Sequence, residues 1–319
     1  MIVDLDNYND NQIAYIYTYT CRKDERSLRD LEMRSFFGKD SKNNILECSL
    51  KIDPSRSPFM KERIDVIYEG NRLKDIFEKV EGLELSGATF KVVFVQNDTI
   101  SKVGFEERRT IEREIGLAIN GEADLLKPDL MFAIMNVNGR WVFGNYLETE
   151  PIWLRHQRKP NDYSVALNTR VARSVANIAV PDPIGIQAID PCCGIGTVLV
   201  EALSMGIDIV GSDINPLILP GVRENIAHFG LEGEVALRDI RNVTDNYDVA
   251  IIDLPYNLCS VITPQDQLEM FQSARRFAEK LVVITVEPID SILVHAGFEI
   301  VDRGIAKKAR FTREVIVCE

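Results

Sequence analysis

The chain has 319 residues, of which 45% are hydrophobic and 27% charged, and it carries a net charge of −12 at pH 7. That is ordinary globular composition at a length sufficient for two domains and a large core, and no apolar run is long enough to span a bilayer. The acidic balance argues against nonspecific nucleic-acid binding, which rests on basic surface, but leaves room for a local basic patch. There are three histidines and six cysteines, with no Cys-x-x-Cys pair, so no metal site is expected and the thiols read as reduced. The acidic, polar start is unlike a signal peptide, which points to a cytoplasmic location.

In chain order, residues 13–20 read as a β-rich strand and 24–37 as a helix with an apolar side from Leu28 and Leu31. Residues 45–52 alternate like a half-buried strand. Leu73, Ile76, Phe77 and Val80 lie at helical spacing, and 90–95 is another strand. Residues 106–119 read as a helix, and strands 130–137 and 141–146 flank Asn138-Gly139, a hairpin signal. The mixture predicts an α+β module over 1–149. Prolines bracket a basic stretch without periodicity at 150–162, which reads as a linker. A helix is expected over 163–179.

The remainder alternates strictly. Strands are expected at 185–189, 207–212, 234–237, 247–252 and 281–286, with helices at 197–205, 221–229, 265–280 and 290–296 between and after them. Runs such as Val249-Ala250-Ile251-Ile252 imply a parallel sheet covered on both faces. Two β-like runs, 298–303 and 312–318, close the chain. The expected domains are therefore 1–149, a linker at 150–162, and 163–319.

Ligands of an open parallel sheet bind beyond the carboxyl ends of its strands. Asp190, Asp213, Asp239 and Asp253 fall at four such ends. Any one of them could be a helix cap or a turn residue; four in order beside a glycine loop are harder to explain that way. Gly194 and Gly196 allow a tight turn and a close backbone approach. The loop lacks the full Gly-x-Gly-x-x-Gly spacing and has no P-loop lysine, which disfavours dinucleotide and ATP readings. Cys192 and Cys193 read as turn packing, since nothing near them in sequence supplies a base.

The runs Asp-Pro-Cys-Cys-Gly-Ile-Gly-Thr at 190–197, Gly-Ser-Asp-Ile-Asn at 211–215, Arg-Asp-Ile at 238–240 and Asp-Leu-Pro-Tyr at 253–256 resemble the ordered motifs of S-adenosylmethionine-dependent methyltransferases acting on exocyclic amines of nucleic-acid bases. With an α+β half in front, the pattern is most similar to the THUMP-domain tRNA guanine-N2 methyltransferases. The likeness covers 163–319 specifically. It covers 60–150 through Lys127-Pro128-Asp129-Leu130 and the following hairpin, and the first sixty residues only in element order. The resemblance implies an α/β fold: a Rossmann-like class I methyltransferase domain behind a ferredoxin-like and THUMP-like half. It implies S-adenosylmethionine as cofactor and tRNA as partner. Asp190, Cys193, Gly194 and Gly196 would border the methionine part, Asp213 the ribose, Ile214 the adenine face, Asp239 the adenine amine, and Ile240 the ring. Asp253, Leu254, Pro255 and Tyr256 would form the target-base site, the carboxylate and the carbonyl at 254 drawing the amine's hydrogens while the tyrosine stacks. Leu254 departs from the family, which has proline there. For RNA, Trp153, Arg155, His156, Arg158 and Lys159, together with Lys307, Lys308, Arg310 and Arg313, are the candidates; a solvated linker and hairpin turn are the plain alternative. An adenine-N6 methyltransferase and a noncatalytic binding protein with a residual methylase fold remain open as rivals.

Overall fold

The computed structural model describes residues 14–40, 43–97, 102–163, 166–254, 262–308 and 311–319. Two compact units emerge. The first comprises Met1–Thr20, Ser41–Ser55 and Phe59–Glu150, and the second Cys21–Asp40, Arg56–Pro58 and Pro151–Glu319.

The first unit is built on strands β1 (Tyr15–Tyr19), β2 (Ile45–Cys48), β3 (Met60–Gly70), β4 (Phe90–Phe94), β5 (Leu130–Val137) and β6 (Arg140–Glu148), ordered β2-β1-β3-β6-β5-β4. Only β4 and β5 run parallel. Helices Leu73–Val80 and Phe105–Ala118 bury Ile76, Val80, Ile111 and Ile115 against Phe90, Phe132 and Phe143 of the sheet. The expected hairpin is present, with Asn138 and Gly139 both at positive φ between β5 and β6. Sequence reading missed β3, the eleven-residue strand that pairs with both β1 and β6. Its charges hide the pattern: Glu62, Arg63 and Asp65 are all buried, and Arg63 meets Asp65 at 2.5 and 3.1 Å. Glu62 accepts from the Thr18 hydroxyl. Paired charges can be buried where single ones cannot.

The second unit contains β7 (Gln187–Asp190), β8 (Asp208–Asp213), β9 (Val235–Leu237), β10 (Tyr247–Asp253), β11 (Ala278–Thr285), β12 (Ile300–Lys308) and β13 (Phe311–Cys318). Their order is β12-β13-β11-β10-β7-β8-β9, and all run parallel except β13, which is antiparallel to both its neighbours β11 and β12. The strand order reverses beside β7, which places the ligand crevice beyond the ends of β7 and β10. Ile189, Ala250, Ile252, Leu281 and Val283 are almost wholly buried, as a two-sided parallel sheet requires. Ala278–Lys280, expected as helix, begins β11; the helix runs Pro264–Phe277.

Helix Arg26–Phe37 belongs to this second unit, not to the α+β module in which its sequence position placed it. Arg34 makes two bonds to Asp302 on β12, at 2.7 and 2.8 Å. Its Glu32 is fully buried, accepting from Ser57 at 2.7 Å and from Asn177 at 2.7 Å. Burial pushes that carboxyl up to about 7. The stretch expected as a linker also joins this unit: Trp153–His156 is a short helix, and buried His156 meets Glu201 at 2.7 Å. Glu201 is held from its other oxygen by Arg173 at 2.8 Å, whose Nε donates to the carbonyl of Arg56 at 2.8 Å. Among the described residues no helix is long and apolar enough to cross a membrane.

Removing one partner of a buried ion pair leaves the other charge uncompensated, a loss of about 3–5 kcal/mol. Arg173→Met should therefore destabilise the second unit by about that much, read as a lower denaturation midpoint in urea, whereas Arg155→Met on the exposed side of the short helix should change it little.

Candidate active site

A cleft of about 590 Å³ opens where the strand order reverses. Asp190, Asp213, Asp239 and Asp253 all line it, with Cys193, Gly194, Ile214, Ile240 and Leu254. The strand ends thus bring together the acids that the motifs singled out.

The glycine turn follows β7 directly. Gly196 has φ +76°, and a Cβ there would lie 2.4 Å from Val222. Gly194 has φ +52°, and a Cβ there would meet nothing within 4 Å, so its backbone faces open space. Its N–H donates to Asp213 at 3.0 Å, and the other Asp213 oxygen accepts from the Asn215 N–H at 2.9 Å. These two bonds clamp the carboxylate at the end of β8 while leaving lone pairs for a ligand. Ile214, next in sequence, is 64% exposed and lines the cleft. Asp239 caps the turn at Ile240–Asn242 and grips Arg241 through both oxygens, at 2.6 and 3.0 Å. That hydrogen bonding holds its carboxyl below the usual range.

Asp190 is buried and its carboxyl is pushed well above the ordinary value by desolvation, with Asp253 and Asp213 adding like-charge repulsion. The thiols of Cys192 and Cys193 are pushed up by the same burial, so neither is a thiolate nucleophile. A cleft of crowded acids fits a cationic ligand, whose charge restores the ionised form. The sulfonium and ammonium groups of S-adenosylmethionine meet that requirement.

Asp253 ends β10. Its Oδ1 is shut off from solvent without a hydrogen-bond partner among the described residues, and burial pushes the carboxyl up to about 7 against the pull of Arg313. An orphaned buried acceptor on a cleft wall is a group positioned for a ligand's donor. Leu254 is buried, and its N–H donates to the Ile284 carbonyl at 3.0 Å. Proline has no such donor, so here a bond to β11 holds the backbone that a ring would otherwise stiffen. Pro255 and Tyr256 lie outside the described residues.

Several cleft residues escaped sequence reading. Tyr163, Ala166 and Leu167 line it, as do Arg241, Asp266 and Met270. The helix expected to start at Tyr163 starts at Thr169, because Asn168 caps it by accepting from the Arg170 N–H at 2.9 Å. That cap was the available signal, and it leaves Tyr163 and Leu167 on a non-helical lead-in along the cleft.

The basic candidates separate. Arg155, Arg158 and Lys307 are exposed. Trp153 is half-buried, with the Arg170 guanidinium 5.1 Å from its ring centre, and the Lys159 side chain is buried against Asp162 at 3.1 Å. His156 and Arg313 are buried and so are not surface contacts. The side chain of Lys308 and all of Arg310 lie outside the described residues.

Residues 155–284 match the family model UPF0020, described as an RMKL-like methyltransferase domain. This segment, which carries the acid-lined cleft, is similar to a methyltransferase domain of that family. The chain is 30% identical to a tRNA (guanine(10)-N2)-dimethyltransferase of Methanothermobacter thermautotrophicus over 49% of each sequence. It is 25% identical to the U6 snRNA (guanine-N(2))-methyltransferase THUMPD2 of Bos taurus over 61% of this chain and 40% of that one. The matched part thus spans half or less of these two curated relatives. The crystal structure of TrmN from Thermus thermophilus superimposes with a TM-score of 0.50 at 15% identity, covering 96% of this chain and 99% of that one, a likeness of fold. The relatives bear out the family resemblance that the motifs carried.

Asp213→Ala removes a charged acceptor worth about 1.5–3 kcal/mol, so calorimetry should show S-adenosylmethionine binding weakened by about tenfold or more. An unchanged affinity in a folded variant would remove Asp213 from the site. A cation bound beside Asp190 should lower its raised carboxyl pKa, because the ligand favours the ionised carboxylate. Affinity should accordingly rise with pH from the acid side toward neutrality, with proton release seen as a buffer-dependent heat.

Proposed function

We propose that this protein transfers a methyl group from S-adenosylmethionine to the exocyclic N2 amine of a guanosine in tRNA. The observation that carries the reading is Asp253: its buried Oδ1 has no hydrogen-bond partner among the described residues, and it lines the same cleft as the clamped Asp213 and the open Gly194. The named activities of the relatives, guanine-N2 methylation of tRNA or U6 snRNA, point to the same amine.

S-adenosylmethionine supplies an electrophilic methyl on a sulfonium whose leaving group needs no proton. What the chain must provide is a competent nucleophile. The lone pair of an exocyclic amine is delocalised into its ring. Hydrogen bonds from the amine to the Asp253 carboxylate and to the carbonyl at 254 hold the nitrogen so that its lone pair faces the methyl. The bond from Leu254 to Ile284 holds that backbone rigid, and such positioning supplies much of the rate. The amine's surplus proton, acidic once nitrogen is methylated, has Asp253 as its acceptor. Pro255 and Tyr256 extend this site on the reading, with Tyr256 stacking on the extruded base. The first unit serves to bind RNA as a ferredoxin-like and THUMP-like half, and exposed Arg155, Arg158 and Lys307 serve phosphate contacts.

Asp253→Ala should abolish turnover while leaving S-adenosylmethionine affinity intact. Nucleoside mass spectrometry of tRNA incubated with the protein and cofactor should show N2-methylguanosine. N6-methyladenosine in its place would move the protein to an adenine-N6 enzyme, and no methylated nucleoside from any RNA pool, despite cofactor binding, would sink the reading.

A further inference from the structure

We propose that Arg313, on β13, is the positioning residue that supplies the counter-charge to Asp253 from behind the sheet rim; this rests on the reading of Asp253 as the amine's acceptor.

The strand registers place it there. Asp253 of β10 is opposite Ile284 of β11, and Ile284 is opposite Val315 of β13. Cross-strand partners share a face of the sheet, and so do residues two apart on one strand. Because β13 runs antiparallel, stepping back from Val315 to Arg313 moves toward the end of the sheet where the cleft lies. Arg313 therefore stands on the same face as Asp253, two strands away. Its side chain is buried, with the residue exposing 7% of its surface, too little for a guanidinium that serves solvent or RNA phosphates. The adjacent Glu314, on the opposite face, pairs with Arg303 at 2.9 Å.

Around Asp253, β7 contributes the like charge of Asp190, and β11 contributes apolar Ile284. Helix Pro264–Phe277 contributes Asp266, whose carboxylate is occupied by Thr263 at 2.6 Å. Among the described residues, Arg313 is the positive charge acting on Asp253, opposing the burial that drives its carboxyl toward neutrality. The chemistry gives that opposition a purpose: an ionised carboxylate accepts from the amine, whereas a protonated one would turn a donor toward it. Arg313 was read from sequence as an RNA contact. The antiparallel strand brings it inward, behind the reactive carboxylate.

The test uses the full chain with Arg313→Met and Arg313→Lys. Loss of this cation should raise the Asp253 carboxyl by up to about one pH unit, about tenfold in the ionised fraction. In Arg313→Met the acid limb of the pH–rate profile should move up by that amount, turnover at neutral pH should fall accordingly, and higher pH should restore it. Affinity for S-adenosylmethionine should be unchanged, and Arg313→Lys should retain the wild-type limb. Carbon NMR of labelled aspartate, with the Asp253 signal identified by its absence in Asp253→Asn, reads the same shift with no RNA present. If Arg313→Met fails to fold, Arg313→Gln is titrated instead. An Asp253 titration unmoved in a folded neutral variant overturns the proposal, even where the wild-type protein methylates RNA. If the titration moves but no RNA is methylated, the electrostatic link stands, while the proposed function and the catalytic use of the link fail.

Discussion

The second unit depends on a buried polar chain that cannot be left half made. Glu201 lies wholly inside, held by Arg173 and His156, and Arg173 in turn reaches the carbonyl of Arg56. Asn177, one helical turn on from Arg173, donates to that same carbonyl and to Glu32. Each of these charged groups costs free energy if buried alone and is tolerated because its neighbours pair with it. The network gathers helix Arg26–Phe37, the segment Arg56–Pro58, the short helix Trp153–His156 and the helices Thr169–Ala179 and Thr197–Ser204. Pieces far apart in the chain are thereby one folding unit.

That constraint reaches the site through the helix Thr197–Ser204. This helix carries Glu201 on its buried side and starts at the glycine turn that borders the cleft. Anchoring the helix anchors the turn, and the Gly194 N–H then clamps Asp213. The crowded acids are a second constraint. Asp190 and Asp253 lie in a desolvated cleft where neither ionises easily, so the site favours ligands bearing positive charge or hydrogen-bond donors.

The departure at Leu254 illustrates how one backbone geometry can be held by different chemistry. The leucine side chain is buried in the apolar cluster beneath the cleft, and its amide completes a bond to β11. The carbonyl, which is the group the proposed chemistry uses, belongs to the backbone and is present with either residue.

Much of the second unit was legible because its signals are local. Apolar runs of strand length, a glycine turn whose positive φ excludes most side chains, and acids at strand ends each lie within a few residues of one another. So Asp190, Gly194, Asp213 and Asp253 could be assigned to one cleft from order alone. The hairpin at Asn138-Gly139 was legible for the same reason. What tertiary structure alone decided involves partners distant in sequence. β3 was unreadable because its charges are buried, with Arg63 paired to Asp65 and Glu62 accepting from the Thr18 hydroxyl of β1. Helix Arg26–Phe37 was readable as a helix but not as part of the second unit, since Asn177 and Asp302 lie far along the chain. Arg313, read as a surface cation, became a buried neighbour of Asp253 only through two strand registers. Local sequence specifies backbone conformation and which side of an element is apolar; which buried charge meets which is set by packing, because compensation acts through space.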